Sequence, residues 1–174
     1  MEINDLNDSK IINKGEIQML LDWLPKLPTK ILKLYDTSID IPNVGTFHQK
    51  CDKKGQTLVL IKNDARSRFG GYTSKSWDWS IMNFVTDPDA FIFSLNMKKK
   101  YPVCIPEKAI FCNINYGPTF GTGHDIYIAN YCTQNNDSHT EGRVYPLEEK
   151  FILNNGERNF YVNKCEVYQI IYSN

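Results

Sequence analysis

The sequence has no excess of either charge, because 20 lysine and arginine residues balance 20 aspartate and glutamate residues. Proteins that bind nucleic acids usually carry a basic excess that attracts the phosphate backbone. Without that excess, the charge balance argues against this class of partner. We therefore expect no nucleic-acid partner.

Long apolar runs are lacking as well. No segment approaches the roughly 20 apolar residues that a helix needs to cross a bilayer. Residues 1–5 also lack the cationic segment and the following apolar stretch of a secretory signal. We therefore expect a cytoplasmic protein without a transmembrane segment.

Cysteine is sparse and irregularly placed. The five cysteines are odd in number, lie far apart and include no Cys-x-x-Cys pair, so they match neither a disulfide framework nor a zinc site. We expect no metal, no cofactor and a reducing compartment. Cys51 alone has a basic setting, with Lys50, Lys53 and Lys54 nearby, which makes it a candidate redox-sensitive thiol. An ordinary buried cysteine is the alternative.

Apolar side chains are plentiful, by contrast. The chain is 41% hydrophobic and 13% aromatic, which is far too apolar for a disordered segment. Its 174 residues suit a single domain with one buried core. Residues 1–13 are polar and asparagine-rich, so we expect a flexible lead-in followed by one domain over residues 14–174.

Helical periodicity occurs once near the start of the chain. Ile17, Leu20, Leu21 and Leu24 recur at the i, i+3, i+4, i+7 spacing of one helix face. Pro25 must end this helix, because proline removes a backbone donor and clashes with the preceding turn. We expect the helix to cover a core with its leucine face.

Short apolar runs of strand length follow, separated by turn residues. The run over residues 57–61 is apolar on both alternations, which predicts a central strand with both faces covered. A short helix is expected over residues 43–50, with Asn43 as its N-cap. Because no strand–helix–strand alternation is visible, the pattern favours a mainly β fold with flanking helices, of the α+β class. The expected strands lie at residues 31–35, 57–61, 90–95, 110–112, 126–129 and 160–172.

Several spaced motifs occur in an order that resembles the TLDc family, over residues 24–172. The asparagine- and lysine-rich composition is similar to that of protist members. The motifs lie at residues 47–52 (FHQKCD), 69–73 (FGGYT), 87–91 (DPDAF), 115–121 (NYGPTFG), 123–125 (GHD) and 156–160 (GERNF).

The resemblance implies a two-sheet antiparallel β-sandwich of the TLDc type and a role in protection against oxidative stress. Some family members bind the vacuolar-type proton ATPase and regulate its assembly, and no reaction is firmly attributed to the fold. The implied function is that of a protein-interaction module, with subunits of this proton ATPase as candidate partners.

One glycine-rich loop carries the most site-like residues. Its glycines allow a tight backbone on which the imidazole of His124 can be presented. A second loop begins at Gly156. The candidate binding residues are Gly117, Gly121, Gly123, His124, Asp125, Gly156 and Glu157.

His124 is also a candidate general base, with Glu157 or Glu166 orienting its second ring nitrogen. A Gly-His-Glu arrangement of this kind resembles the catalytic-like triad proposed for some relatives. The sequence supplies no nucleophile, since it has no Gly-x-Ser-x-Gly elbow. An undescribed enzyme with these three catalytic candidates is the alternative to a binding module.

Glu166 shares a predicted strand face with Tyr168, Ile170 and Tyr172. If that face is buried, the carboxylate requires a partner. We expect this partner to be His124 or a backbone N–H of the glycine-rich loop. Simple surface exposure of the carboxylate is the alternative.

A third hypothesis is a β-sandwich that binds a small ligand or sugar through Tyr72, Trp77 and Trp79, because aromatic rings suit sugar faces. The two tryptophans could equally form a lid over the open end of the sandwich. Gly70 and Gly71 lack the Lys-Ser/Thr ending of a phosphate loop. We expect these glycines to permit a strand bulge or close packing under an aromatic ring.

Overall fold

The computed structural model describes residues 4–173. Within them the chain forms two α-helices and twelve strands, so the expected α+β class is confirmed. The elements are α1 (Lys14–Trp23), β1 (Lys30–Asp36), α2 (Val44–Cys51), β2 (Thr57–Asn63), β3 (Arg68–Thr73), β4 (Asn83–Val85), β5 (Phe91–Ser94), β6 (Lys99–Pro102), β7 (Ile110–Cys112), β8 (Thr119–Phe120), β9 (Ile126–Tyr127), β10 (Ser138–Thr140), β11 (Asn159–Phe160) and β12 (Val162–Ile171).

The strands form two six-stranded antiparallel sheets. The order in the first sheet is β1-β12-β2-β3-β5-β6, and the order in the second is β11-β10-β9-β8-β7-β4. Strand β2 pairs with β12 on one side and β3 on the other, and residues 57–61 are buried throughout. The predicted central strand is therefore confirmed.

Both helices begin at asparagine caps. The Asn13 N–H donates to Glu16 Oε2 at 2.9 Å at the start of α1, and Asn43 Oδ1 accepts from the Thr46 N–H at 2.8 Å at the start of α2. The α1 helix ends just before Pro25, as expected, and buries Leu20 on its apolar face. The short helix expected over residues 43–50 is confirmed as α2.

The hydrophobic core has two parts, one on each face of the first sheet. Val59 and Ile61 point into the space between the two sheets, whereas Leu58 and Leu60 point to the opposite face. That opposite face is covered by α1 and by the segment that precedes it. The molecule is thus a sandwich with an additional helical layer on the first sheet.

The expectation of a flexible lead-in over residues 1–13 is wrong for residues 4–13, and residues 1–3 lie outside the described part of the chain. A 3-10 turn spans Asp5–Asp8, and Leu6, Ile11 and Ile12 are buried against the first sheet. The Asp5 carboxylate also accepts a hydrogen bond from the backbone of β1 at 2.7 Å. Isolated apolar residues in a polar stretch give no periodicity, and only the folded chain assigns them to the core.

Candidate functional site

The glycine-rich loop forms a tight connection between β8 and β9. Gly121, Gly123 and His124 all have left-handed backbone conformations, with φ of 79°, 78° and 65°. A Cβ atom at Gly121 would overlap the carboxylate of Asp125, so this position requires glycine for both conformation and space. The loop therefore holds His124 in a fixed backbone position at the ends of two central strands of the second sheet.

Asp125 fastens this loop to the chain segment after β10. Its fully buried carboxylate accepts hydrogen bonds from the Arg143 N–H and from the Val144 N–H, the latter at 3.2 Å. Burial raises the pKa of Asp125 to about 6, and the hydrogen bonds from these N–H groups oppose that rise. Asp125 thus has a positioning role in the loop, and its carboxylate is not available to a ligand.

The His124 ring lies in a cluster of aromatic side chains. Its centroid is 5.4 Å from that of Tyr116, 5.3 Å from that of Tyr127 and 5.6 Å from that of His139. Burial, together with the neighbouring His139, lowers the pKa of His124 to about 4. The imidazole is therefore neutral near pH 7 and contributes an aromatic ring with polar nitrogens.

These rings belong to a continuous strip on the outer side of the second sheet. Ile110, Cys112 and Ile126 point into the core, so alternation directs their strand neighbours Phe111 and Tyr127 outward. Phe84 and His139 lie opposite these two residues on the paired strands. Centroid distances from one ring to the next are 4.9–5.4 Å, and the rings are half-buried apart from the buried His139. We name this strip the aromatic face; it consists of Phe84, Phe111, Tyr116, His124, Tyr127 and His139.

Charged side chains border the aromatic face. Glu141 pairs with Arg143 at 2.9 Å and with Arg158 at 3.3 Å, next to the two histidines. At the other end of the strip the Lys108 ammonium lies 4.3 Å from the ring centroid of Phe84. The face therefore has an apolar centre and a polar rim of both charges.

The expected pairing of His124 with a glutamate is not formed. In residues 4–173, no hydrogen bond or ion pair joins His124 to Glu157 or Glu166. Glu166 lies on the opposite face of the first sheet, where it is fully buried. Glu157 is exposed in the loop before β11. The carboxylate that acts on His124 is instead Glu141, whose charge raises the pKa of the imidazole.

A family model of the TLDc domain matches residues 6–171, which is nearly the whole chain. The chain belongs to the TLDc domain family. No curated protein matches the chain significantly. The matched region begins within the segment that precedes α1, in agreement with the burial of that segment in this TLDc domain.

The remaining candidate residues of the TLDc domain are dispersed. Gly117 is buried, and its N–H donates to the Ile128 carbonyl at 3.1 Å, so it has a packing role. Gly156 is exposed and lines a separate cavity, which it shares with Ser67. The structure therefore brings His124 together with aromatic residues, and does not gather the glycines into one site.

Sequence reasoning missed most of the aromatic face. Phe111 and Tyr127 could have been found, because the residues on both sides of each along the chain point into the core. His139 had no such signal, since its position depends on the pairing of β10 with β9, which places it opposite Tyr127. Contacts between strands, rather than any local motif, assemble this face.

The proposed sugar platform of three aromatic residues is wrong for this TLDc domain. Tyr72 and Trp77 are each 1% exposed, and the Trp77 indole N–H donates to Thr57 Oγ1 at 2.8 Å. Trp79 is 46% exposed, so one ring of the three is accessible. Gly71 does pack closely under an aromatic ring, that of Phe120, as expected.

The sequence hypothesis for Cys51 is also corrected. The thiol is fully buried in α2, and burial together with Asp52 raises its pKa well above the usual value. Its basic neighbours lower the pKa by less than burial raises it.

In residues 4–173, no group of three or more His, Cys, Asp or Glu side chains could hold a metal ion. Among residues 4–173 there is likewise no helix with the length and hydropathy of a membrane span.

Proposed function

We propose that this TLDc domain is a protein-interaction module and that the aromatic face is its contact surface. The observation that carries the proposal is the continuous strip of six aromatic rings, most of them half-buried, on the outside of the second sheet. Protein interfaces concentrate their binding energy in Tyr, Trp and Arg side chains surrounded by a polar rim. The aromatic face has this composition, since Arg143 and Arg158 stand beside its rings.

Rigidity of the face supports the same proposal. The His124 loop is fastened by the buried carboxylate of Asp125, and His139 Nδ1 lies within hydrogen-bond distance of the Asp137 carbonyl at 3.1 Å. A preorganised surface loses little side-chain entropy when a partner binds. A neutral His124 also avoids the desolvation cost of burying an imidazolium in an interface.

The partner we propose is a subunit of the vacuolar-type proton ATPase, in a pathway that protects against oxidative stress. This choice rests on the family, in which some members bind that enzyme. The mixed charges of the rim, Glu141 with Arg143 and Arg158, would orient such a partner and add salt dependence to the association rate.

Catalysis by His124 is the less favoured function. A general base of this kind needs an acceptor that fixes the tautomer of its ring. Within residues 4–173 no side chain makes such a hydrogen bond to His124, and the ring contacts are aromatic. A ring held by Phe111, Tyr116 and Tyr127 suits contact with a partner better than proton transfer.

The test is binding of the purified domain to the isolated peripheral sector of the proton ATPase, by calorimetry. Tyr127→Ala and His124→Ala should each weaken binding by about tenfold or more, because they remove buried contact area at the centre of the face. Ile39→Ala is the control, since this side chain is 81% exposed in the turn after β1, on the first sheet. Circular dichroism would verify that all three variants fold.

Two results would count against the proposal. Equal binding by wild type and both face variants would exclude the aromatic face as the contact surface. Turnover of a substrate that is lost in a folded His124→Ala variant would favour the enzyme instead. If the ATPase sector does not bind, a pull-down from cell extract with peptide identification would show whether another protein requires the face.

A further inference from the structure

The cavity lined by Ser67 and Gly156 lies away from the aromatic face and shares no residue with it. It has a volume of about 240 Å³ and lies between the β2–β3 turn, the β5–β6 turn and the loop before β11. This volume is below the roughly 300–1,000 Å³ of sites for drug-sized ligands, so a ligand would be small. The residues that line it include Ser67, Ser94, Asn96 and Met97.

One buried hydroxyl in this cavity has no partner. Ser67 is 4% exposed, and its Oγ makes no hydrogen bond to any residue in the described part of the chain. Burying a hydroxyl without a hydrogen bond costs free energy, and such atoms are rare in folded proteins. A ligand hydroxyl seated against Ser67 would supply the missing bond.

The backbone around Ser67 is held by a buried polar network. The Ser67 N–H donates to Asn63 Oδ1 at 2.7 Å, and the Asn63 amide donates to Asn154 Oδ1. Asn154 in turn donates to the carbonyls of Glu157 and Asn159 at 2.8 and 3.1 Å. This network joins two walls of the cavity through buried hydrogen bonds, so the cavity is preorganised.

Apart from Glu149 and Lys150, the remaining polar side chains that line the cavity carry hydroxyl or amide groups. Ser94 Oγ accepts from the Met97 N–H at 3.2 Å and retains its own proton for donation. Asn96 Oδ1 accepts from the Arg68 N–H at 2.6 Å, which leaves the amide nitrogen to donate. Glu149 and Lys150 stand side by side at the rim and cancel in charge.

From this chemistry we propose that the cavity binds a small neutral polyhydroxyl compound, no larger than a monosaccharide or cyclic polyol. Hydroxyl and amide groups match the alternating donors and acceptors of such a ligand, while Met97 and Ile152 offer apolar contact to its C–H surface. Balanced rim charges disfavour an anion or a cation. The site is independent of the protein-binding function, because it lies on different elements.

The experiment is a titration of isotope-labelled domain with glucose and with myo-inositol, followed by amide chemical shifts in two-dimensional NMR. Inorganic phosphate serves as the charged probe. We expect saturable shifts for at least one polyol, confined to the amides of Ser67, Ser94, Asn96, Met97 and Gly156. Ser67→Ala should weaken this binding by about tenfold, the effect of one lost hydrogen bond to a neutral partner.

Thr140→Val provides a matched control. Thr140 Oγ1 is the second buried hydroxyl without a partner in the described residues, and Thr140 does not line the cavity. Both substitutions remove an unbonded hydroxyl, so neither should lower the midpoint of thermal unfolding. Only Ser67→Ala should affect polyol binding. The proposal is overturned if neither polyol shifts these amides, if phosphate produces the shifts instead, or if Ser67→Ala binds the polyol as well as wild type.

Discussion

The Ser9 hydroxyl donates a hydrogen bond to Glu166 Oε2 at 2.5 Å, across 157 residues of sequence. The Lys10 N–H donates to Oε1 of the same carboxylate at 3.1 Å, and the Tyr168 hydroxyl donates to Oε2 at 2.8 Å. The Lys33 ammonium lies 3.5 Å from Oε1. The segment before α1 thus provides two of the four contacts of a fully buried carboxylate in β12, which makes that segment an integral part of the fold.

The first prediction concerns this contact. Ser9→Ala should lower the free energy of unfolding by about 2–3 kcal/mol, because it leaves a buried carboxylate short of a donor and removes the acceptor of the Ile11 and Ile12 N–H groups. Urea denaturation would measure the change. Ser80→Ala is the control, since the Ser80 hydroxyl is exposed and its loss should cost no more than about 0.5 kcal/mol. Equal effects of the two substitutions would contradict the assigned role of Ser9.

The second prediction compares two glycines. A Cβ atom at Gly71 would lie 2.6 Å from the ring of Phe120, which is itself buried between the sheets. Gly71→Ala should therefore destabilise the domain by about 1–3 kcal/mol through overpacking. Gly15→Ala should instead be neutral or stabilising by up to about 1 kcal/mol, because Gly15 is in α1 with no atom nearby and alanine favours helices. A stable Gly71→Ala variant in thermal unfolding would show that the sheets can separate at this point.

The third prediction concerns pH. Because the pKa of His124 is lowered from 6.5 to about 4 in the fold, the unfolded chain binds more protons at His124 within that window. His124 therefore contributes a component to the free energy of unfolding that is present above pH 6.5 and is lost as the pH falls towards 4. His124→Phe keeps an aromatic ring and removes the component. The variant should gain roughly 1–2 kcal/mol relative to wild type over this window, a value reduced by screening at a half-exposed group.

Asp125 should have the opposite effect, because its pKa is raised from 3.8 to about 6 in the fold. The folded chain then binds more protons at Asp125 between these values, so acidification through this window adds stability. Asp125→Asn should lose that gain, whereas His124→Phe should keep it. Urea denaturation across the two windows measures both slopes, and parallel curves for wild type and both variants would refute the assignment.

The fourth prediction concerns the thiols. Cys104 is exposed, whereas Cys51, Cys112, Cys132 and Cys165 are buried. Burial raises the pKa of Cys112 to about 11 and that of Cys132 to about 12, so their thiolate forms are scarce near neutral pH. Iodoacetamide should alkylate Cys104 in the native protein and all five cysteines in urea, as read by mass spectrometry. If iodoacetamide modified native Cys51 as fast as Cys104, the prediction would be wrong and Cys51 would be a reactive thiol.

Local patterns in the sequence predicted both helices and the strands β1, β2, β5, β7, β9 and β12, but not β3, β4, β6, β8 and β10. The apolar spacing in α1, the doubly apolar run in β2 and the alternation in β12 are each properties of neighbouring residues, and each corresponds to the observed element. The same alternation correctly predicted that Glu166 shares a face with Tyr168. The alternation did not predict which element covers that face.

The sequence by itself thus determined the types of the predicted elements, the two faces of β12 and, through its motifs, the family. Only the tertiary structure decided that residues 5–12 cover the first sheet and supply two partners of Glu166, and that His124 lies among rings from separate segments of the chain. The physical reason is that periodicity records whether a side chain is buried, whereas the identity of its neighbours depends on strand order and register. Ser9 and Glu166, and likewise His139 and Tyr127, become neighbours through chain topology alone.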